Sequence, residues 1–142
     1  MNWRFWEWAI LALMMWREAR SEGEEGMRAV GHVALNRARK ASLSIAVIIV
    51  QDAQFTSINP PKKTYDPQLD VWPTPGDESF KLAMKIANEI LGNGSADPTK
   101  GATHYRNPKT ATSESFQRSI DEGSLLPTAT LGSHDFYREV KA

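Results

Sequence analysis

The opening of this chain is too apolar to lie on a protein surface. Trp6, Ile10, Leu13, Met14 and Arg17 recur at helical spacing, and Trp3, Trp8, Leu11 and Met15 widen the apolar face beyond one stripe. The stretch reads as a mostly buried first helix that ends near Arg20. The stretch from Ser21 to Gly26 is polar, carries two glycines, and reads as a helix break. Met27, Val30, Ala34 and Ala38, with Val33 beside them, mark a second, amphipathic helix. Ser42 or Ser44 is placed to cap a short third helix through Ile45 to Gln51, although the run from Ile45 to Val50 suits a buried strand equally well.

Five of the eight prolines fall between Asn59 and Gly76, which makes that stretch a long irregular loop. Asp77 then starts a helix with Phe80, Ala83, Met84, Ala87, Ile90 and Leu91 on one face, and Gly92 ends it. Asn93-Gly94 and Asp97-Pro98 read as turns. Beyond them the helical signal fades: Ala102 to Arg106 and Asp135 to Val140 are expected as short strands, and Ser113 to Glu122 as a further helix. The expected fold class is mainly α, one domain over 1–142, with a small irregular or β-containing lobe near the C-terminus.

Composition narrows the function. Lys plus Arg and Asp plus Glu both number 17, so the chain lacks the basic excess of a nucleic-acid binder. There is no cysteine, which excludes disulfides, zinc-thiolate sites and thiol nucleophiles. The apolar run Ala9 to Trp16 is far short of the roughly 20 residues of a membrane span. It has the length of a signal-peptide core. Glu7, however, stands where positive charge belongs, and no small-x-small cleavage site follows. The expectation is a monomer made in the cytoplasm without a signal peptide. No cofactor is expected, and no metal, because the histidines follow no zinc-site spacing such as HExxH.

The chemistry-bearing candidate is Glu18, at the end of the apolar helix in Trp16-Arg17-Glu18-Ala19-Arg20. Apolar surroundings disfavour the charged form of a carboxyl group, which is the condition a general acid needs near neutral pH. The plainer alternative is a solvated helix end on which Glu18 pairs with Arg17 or Arg20. Glu22, Glu24 and Glu25 follow closely, and two carboxylates about one bond are the usual glycosidase equipment. Acidic residues at the start of the next helix also answer its dipole, which accounts for Glu24 and Glu25 without catalysis. His32 reads as a packed or surface residue. His104 and His134 sit in polar-aromatic clusters, Thr103 to Pro108 and Gly132 to Tyr137, of the kind that suits sugar binding. A Ser133–His134 nucleophile is disfavoured, since no nucleophile elbow is present.

Glu18-Ala19-Arg20, Glu22, Glu25-Gly26, Val30 to Ala34 and Leu35-Asn36-Arg37 together resemble the opening of the spore-cortex-lytic type of cell wall hydrolase. Gln54-Phe55-Thr56-Ser57 is similar to that family's short Gln-Phe-Ser element. Asp97-Pro98-Thr99, Gly101 to Tyr105 and Asn107-Pro108 resemble its central signature. Gly132, His134, Phe136 and Tyr137 resemble its closing motif. The pieces run in order from about Leu11 to Tyr137. Three departures stand out: Arg17 replaces a common small glycine, Thr56 intervenes between Phe55 and Ser57, and the loop around Trp72 has no counterpart.

The resemblance implies a lysozyme-like fold related to lytic transglycosylases, a peptidoglycan substrate and one catalytic glutamate, Glu18. It makes Gln54, His104, Tyr105, Asn107 and Tyr137 candidates for the substrate cleft. Cleavage between N-acetylmuramic acid and N-acetylglucosamine is expected, by transglycosylation with 1,6-anhydro ends. The alternative is a muramidase with Glu22 or Glu25 as second carboxylate. A phage endolysin released through a holin pore is the expected context. The competing class is a non-enzymatic module that docks through Trp3, Phe5, Trp6 and Trp8 on a partner or membrane surface.

Overall fold

A computed structural model of the chain describes residues 3–51, 55–61, 64–74 and 76–140. Helix α1 (Trp3–Ala19) is followed by a 3-10 turn (Arg20–Glu22), α2 (Gly23–Ala41), α3 (Ile45–Val50), a second 3-10 turn (Pro67–Asp70) and α4 (Glu78–Leu91). Strand β1 (His104–Arg106), helix α5 (Glu114–Asp121) and strands β2 (Leu125–Leu131) and β3 (His134–Glu139) complete it. The mainly α class with a small C-terminal β lobe is the architecture expected from the sequence. No helix among the described residues is long and apolar enough to cross a membrane.

The core is the burial of α1 by α2 and α4. Leu11, Met14 and Met15 are fully buried and pack with Met27 and Val30 of α2 and Ile86 and Ile90 of α4. Gly31 of α2 faces both α1 and α4 at close range. A Cβ there would lie 2.5 Å from the Met15 sulfur and 2.6 Å from Ile90 Cδ1, so any larger residue would force them apart. Two indole N–H groups fix α4 against α1. Trp16 donates to Ser79 Oγ at 2.8 Å and Trp8 to the Met84 carbonyl at 3.0 Å. Asp77 caps α4 by accepting from the Ser79 and Phe80 amides. Trp6, assigned to the buried stripe, is instead 55% exposed. It stands edge-on to Phe5 at the helix start, while the fully buried positions begin at Leu11.

The expected break at Ser21–Gly26 is shorter than the glycines suggested. Only Arg20–Glu22 leave α geometry, and Gly23 to Gly26 already belong to α2, with Glu24 and Glu25 in its first turn. The run from Ile45 to Val50, open between helix and strand, is a helix. Ser44 caps it by accepting from the Val47 amide, and Ser42 is the left-handed residue that ends α2. The proline-rich loop holds one ordered turn, Pro67–Asp70, capped by Asp66.

In the β lobe β3 is central, antiparallel to β1 on one side and to β2 on the other. Strand β2 was not expected: Pro127 interrupts it, and Pro is tolerated because β2 is an edge strand with an irregularity between Pro127 and Ala129. Phe136 and Ala102 pack with Ala29 and Val33 of α2, which seats the sheet on that helix.

Asp97 locks the turn that leads from α4 into β1. Its carboxylate accepts from the Thr99 amide (2.8 Å), the Thr99 hydroxyl (2.6 Å), the Gly101 amide (3.0 Å) and the Asn36 side chain on α2 (2.9 Å). Burial works against the Asp97 charge, yet these bonds outweigh it and hold the carboxyl below its ordinary range. Asp97→Ala leaves four donors without that acceptor and is expected to cost about 2–4 kcal/mol. Urea unfolding of parent and variant at neutral pH measures this.

Candidate active site

Glu18 occupies the last turn of α1, half-buried between the buried Arg17 and Ala19, and it meets Tyr105 of the β lobe. Neither arginine beside it becomes its partner. Arg17 is buried and donates to three main-chain carbonyls: Ser57 at 3.0 Å, Val71 at 3.1 Å and Leu69 at 3.3 Å. Arg20 donates to Gln68 Oε1 at 2.7 Å and lies over the Trp16 ring. The Glu18 carboxyl is instead held on both oxygens by neutral donors. The Tyr105 hydroxyl donates to Oε1, and the Ser57 amide donates to Oε2 at 3.2 Å. A half-buried carboxyl with two neutral donors keeps a lone pair on each oxygen for a further partner.

Tyr105 is delivered by β1 and is wedged into place by rings. His134 stands edge-on to it at 5.4 Å and Phe136 is tilted against it at 5.8 Å, both from β3. Burial, and then the neighbouring Glu18 charge, push the Tyr105 hydroxyl well above its ordinary pKa, so it stays a donor. The positive charge of Arg37, which donates to the Thr103 carbonyl, is felt by both Tyr105 and Glu18.

Glu22 reaches the same face by a different route. Its carboxylate accepts from the Ser133 hydroxyl and from the Ser133 amide at 3.3 Å, and it lies 3.6 Å from His134 Nδ1. The Ser133 hydroxyl is the main reason that the Glu22 carboxyl is held below its ordinary range. Gly132 makes the contact possible. It adopts φ 58°, and a Cβ there would sit 2.5 Å from Glu22 Oε2. The β2–β3 turn is thus fastened to the 3-10 turn that follows Glu18. Glu25 is exposed in the first turn of α2.

The other residues singled out from the sequence are placed apart from Glu18. Side chains alternate along a strand, so His104 and Tyr137, paired across β1 and β3, face away from Tyr105 and Phe136. On that outer face Tyr137 meets Phe116 of α5 and lies under Arg106. His104 lines a cavity of about 330 Å³ with Phe116, Ser113, Ser119, Ser124 and Glu139. Asn107 ends β1, where its side chain accepts from the Lys109 amide at 3.0 Å and its carbonyl closes the turn to Thr110. Gln54 lies outside the described residues. His32 is a packed residue, bonded to Ser95 Oγ at 2.7 Å. Among the described residues no group of three or more His, Cys, Asp or Glu side chains gathers as a metal site.

In the sequence Ser57 and Arg37 stand only as letters of motifs, and His134 as a member of a polar-aromatic cluster suited to sugar binding. Their work at Glu18 passes through a main-chain amide, a charge and a ring edge, none of which has a spacing signature.

His104 yields a pH test. Burial, reinforced by the charge of Arg37, lowers its pKa to about 4, so it is neutral in the folded protein at neutral pH. The unfolded chain takes up a proton near pH 6.5, and the folded one does not until about 4. Stability is therefore lost as pH falls through that window, by roughly 2–3 kcal/mol from this group. His32, lowered mainly by burial, adds in the same direction. Urea midpoints measured between pH 7.5 and 4.5 should fall less steeply for His104→Gln than for the parent.

The family model described as Cell Wall Hydrolase matches residues 21–137, beginning just past Glu18. Among solved structures, the catalytic domain of the germination-specific lytic transglycosylase SleB from Bacillus anthracis superposes with a TM-score of 0.70 at 26% identity, covering 94% of each chain. The catalytic domain of the Bacillus cereus SleB protein gives 0.65 at 25% identity, covering 94% of this chain and 91% of that one. A comparison with the curated proteins gives no match. The mainly α fold is thus the lysozyme-like one of the SleB catalytic domains, and the chain belongs to the cell wall hydrolase family.

Proposed function

We propose that this chain, an enzyme acting on peptidoglycan, cuts the glycan strand between N-acetylmuramic acid and N-acetylglucosamine with Glu18 as both acid and base. The observation that carries the reading is the setting of Glu18: a half-buried carboxyl at a helix end, free of the arginines beside it and held by Tyr105 and Ser57. Neutral Glu18 gives its proton to the glycosidic oxygen as the bond to the muramic C1 breaks, and positive charge spreads over C1 and the ring oxygen. The Tyr105 hydroxyl and Ser57 amide then stabilise the carboxylate left behind. The 6-hydroxyl of the same muramic acid attacks C1, its proton passes to Glu18, and a 1,6-anhydro ring closes. No water is consumed, and the acid is returned protonated.

Two features favour this route over hydrolysis. Hydrolysis in the usual scheme calls on a second carboxylate. Glu22, the nearest in sequence, has its carboxylate engaged by Ser133 and His134, and Glu25 is exposed on the first turn of α2. The SleB domains that share the fold are named as lytic transglycosylases in the Bacillus anthracis case. Tyr105 is proposed as the group that orients Glu18. His104 and Tyr137 are proposed to support the sheet from its outer face.

Glu18→Gln keeps the size of the side chain and cannot deliver the proton. Activity on purified peptidoglycan is expected to fall by about 10²–10⁴-fold, with the circular dichroism spectrum unchanged. A folded variant that clears peptidoglycan at the parent rate removes Glu18 from the mechanism. Digestion in ¹⁸O-labelled water separates the two chemistries. The expected products end in 1,6-anhydro-N-acetylmuramic acid, one water (~18 Da) lighter than hydrolytic ones, and carry no label, because the attacking oxygen is the sugar's own. Labelled reducing-end muramic acid would identify a muramidase.

A further inference from the structure

Trp72 is the most exposed large hydrophobic side chain among the described residues, at 67%. A tryptophan left in water on a loop forgoes a large burial gain, and such a ring invites a ligand when it is also fixed in place. Trp72 is fixed. The Arg17 guanidinium lies over its ring at 4.5 Å. The same guanidinium accepts no freedom of its own, because it donates to Val71, the residue before Trp72, and to Leu69 and Ser57. Three main-chain bonds and a stacked ring therefore hold one buried cation.

The position of this ring relative to the site follows from Ser57. Its carbonyl receives Arg17, and its amide donates to Glu18 Oε2. One residue thus ties the support of Trp72 to the carboxyl of Glu18, while Arg17 and Glu18 are themselves consecutive on α1. Burial lowers the pKa of the Arg17 guanidinium, so placing it there has a cost, and a stacked, preorganised ring is a reason for bearing it. A pyranose ring presents C–H groups from one face and hydroxyls at its edge. An indole with one face backed by a cation and exposed to solvent matches that shape.

We infer that Trp72 is a stacking platform for a sugar ring of the glycan strand, held by Arg17 and set beside Glu18 through Ser57. The inference rests on the glycan-cleaving function proposed above and adds a binding residue to it. Trp72 touches no reacting atom. It contributes binding energy away from the scissile bond, equal in the ground and transition states, and so acts on KM rather than on kcat.

Steady-state cleavage of soluble, uncross-linked glycan strands by the parent, Trp72→Ala and Trp72→Phe tests this. Trp72→Ala is expected to raise KM about 3–10-fold with kcat within about twofold of the parent. Trp72→Phe, which keeps a flat ring, is expected to recover most of the loss. Thermal unfolding checks that the variants are folded, as removal of an exposed ring should allow. A KM for Trp72→Ala equal to that of the parent overturns the inference while leaving the cleavage reaction standing. A fall in kcat at unchanged KM also overturns it, since Trp72 would then be acting on the geometry of Glu18. A folded parent that leaves the strands uncut sinks the functional reading and this inference with it.

Discussion

Everything in this molecule is arranged about the burial of α1. Its apolar surface is too wide for one neighbour, so α2 and α4 close over it from two directions, with Gly31 permitting the close approach to Met15 and Ile90. That burial has a direction. The helix starts exposed at Phe5 and Trp6 and is buried from Leu11 through Ala19, with only Leu13 and Glu18 half-buried in that stretch. A carboxyl in that position is neither fully solvated nor sealed off. It can be presented to a substrate and still be gripped by the protein.

The β lobe supplies the grip. Its sheet rests on α2 through Phe136, Ala102, Ala29 and Val33, and from that seat β1 brings the Tyr105 hydroxyl to Glu18. Several residues that stand out as signature letters prove to be scaffolding for this delivery. Asp97, Thr99 and Gly101 build the turn that leads from α4 into β1 and tie it to Asn36 of α2. Gly132 lets the hairpin come within reach of Glu22. Few atoms meet at Glu18, and much of the recognisable sequence serves to position them.

What the sequence made legible follows from the range of the interactions. The long helices were readable because their periodicity and caps are local, as at Asp77, whereas Ile45 to Val50 stayed open between helix and strand, with Ser42 or Ser44 as its cap. Glu18 was readable because it ends an apolar helix within a motif. Strand β2 was not, because Leu125 to Leu131 holds Pro127 and lacks clean alternation, and only pairing with β3 makes it a strand. The two faces of the sheet were also hidden. His104 and Tyr105 are neighbours in sequence and look equally suited to a cleft, yet the pleat sends one to α5 and the other to Glu18. Arg17 looked like a mere departure from a glycine. Its three acceptors are carbonyls of residues far along the chain, and backbone carbonyls leave no trace in side-chain letters.

The contact between Tyr105 and Glu18 spans 87 residues, and the one between Ser133 and Glu22 spans 111. Glu18 lies on α1, and the strand whose rings brace its partner Tyr105 is β3. During synthesis from the N-terminus, α1 and α2 can pair early, since their contacts are close in sequence. The working constellation cannot. It comes into being only when β3 has been made and has closed on β1 and β2. A nascent chain that stops short of β3 therefore carries Glu18 without the rings of His134 and Phe136 that hold its tyrosine partner in place.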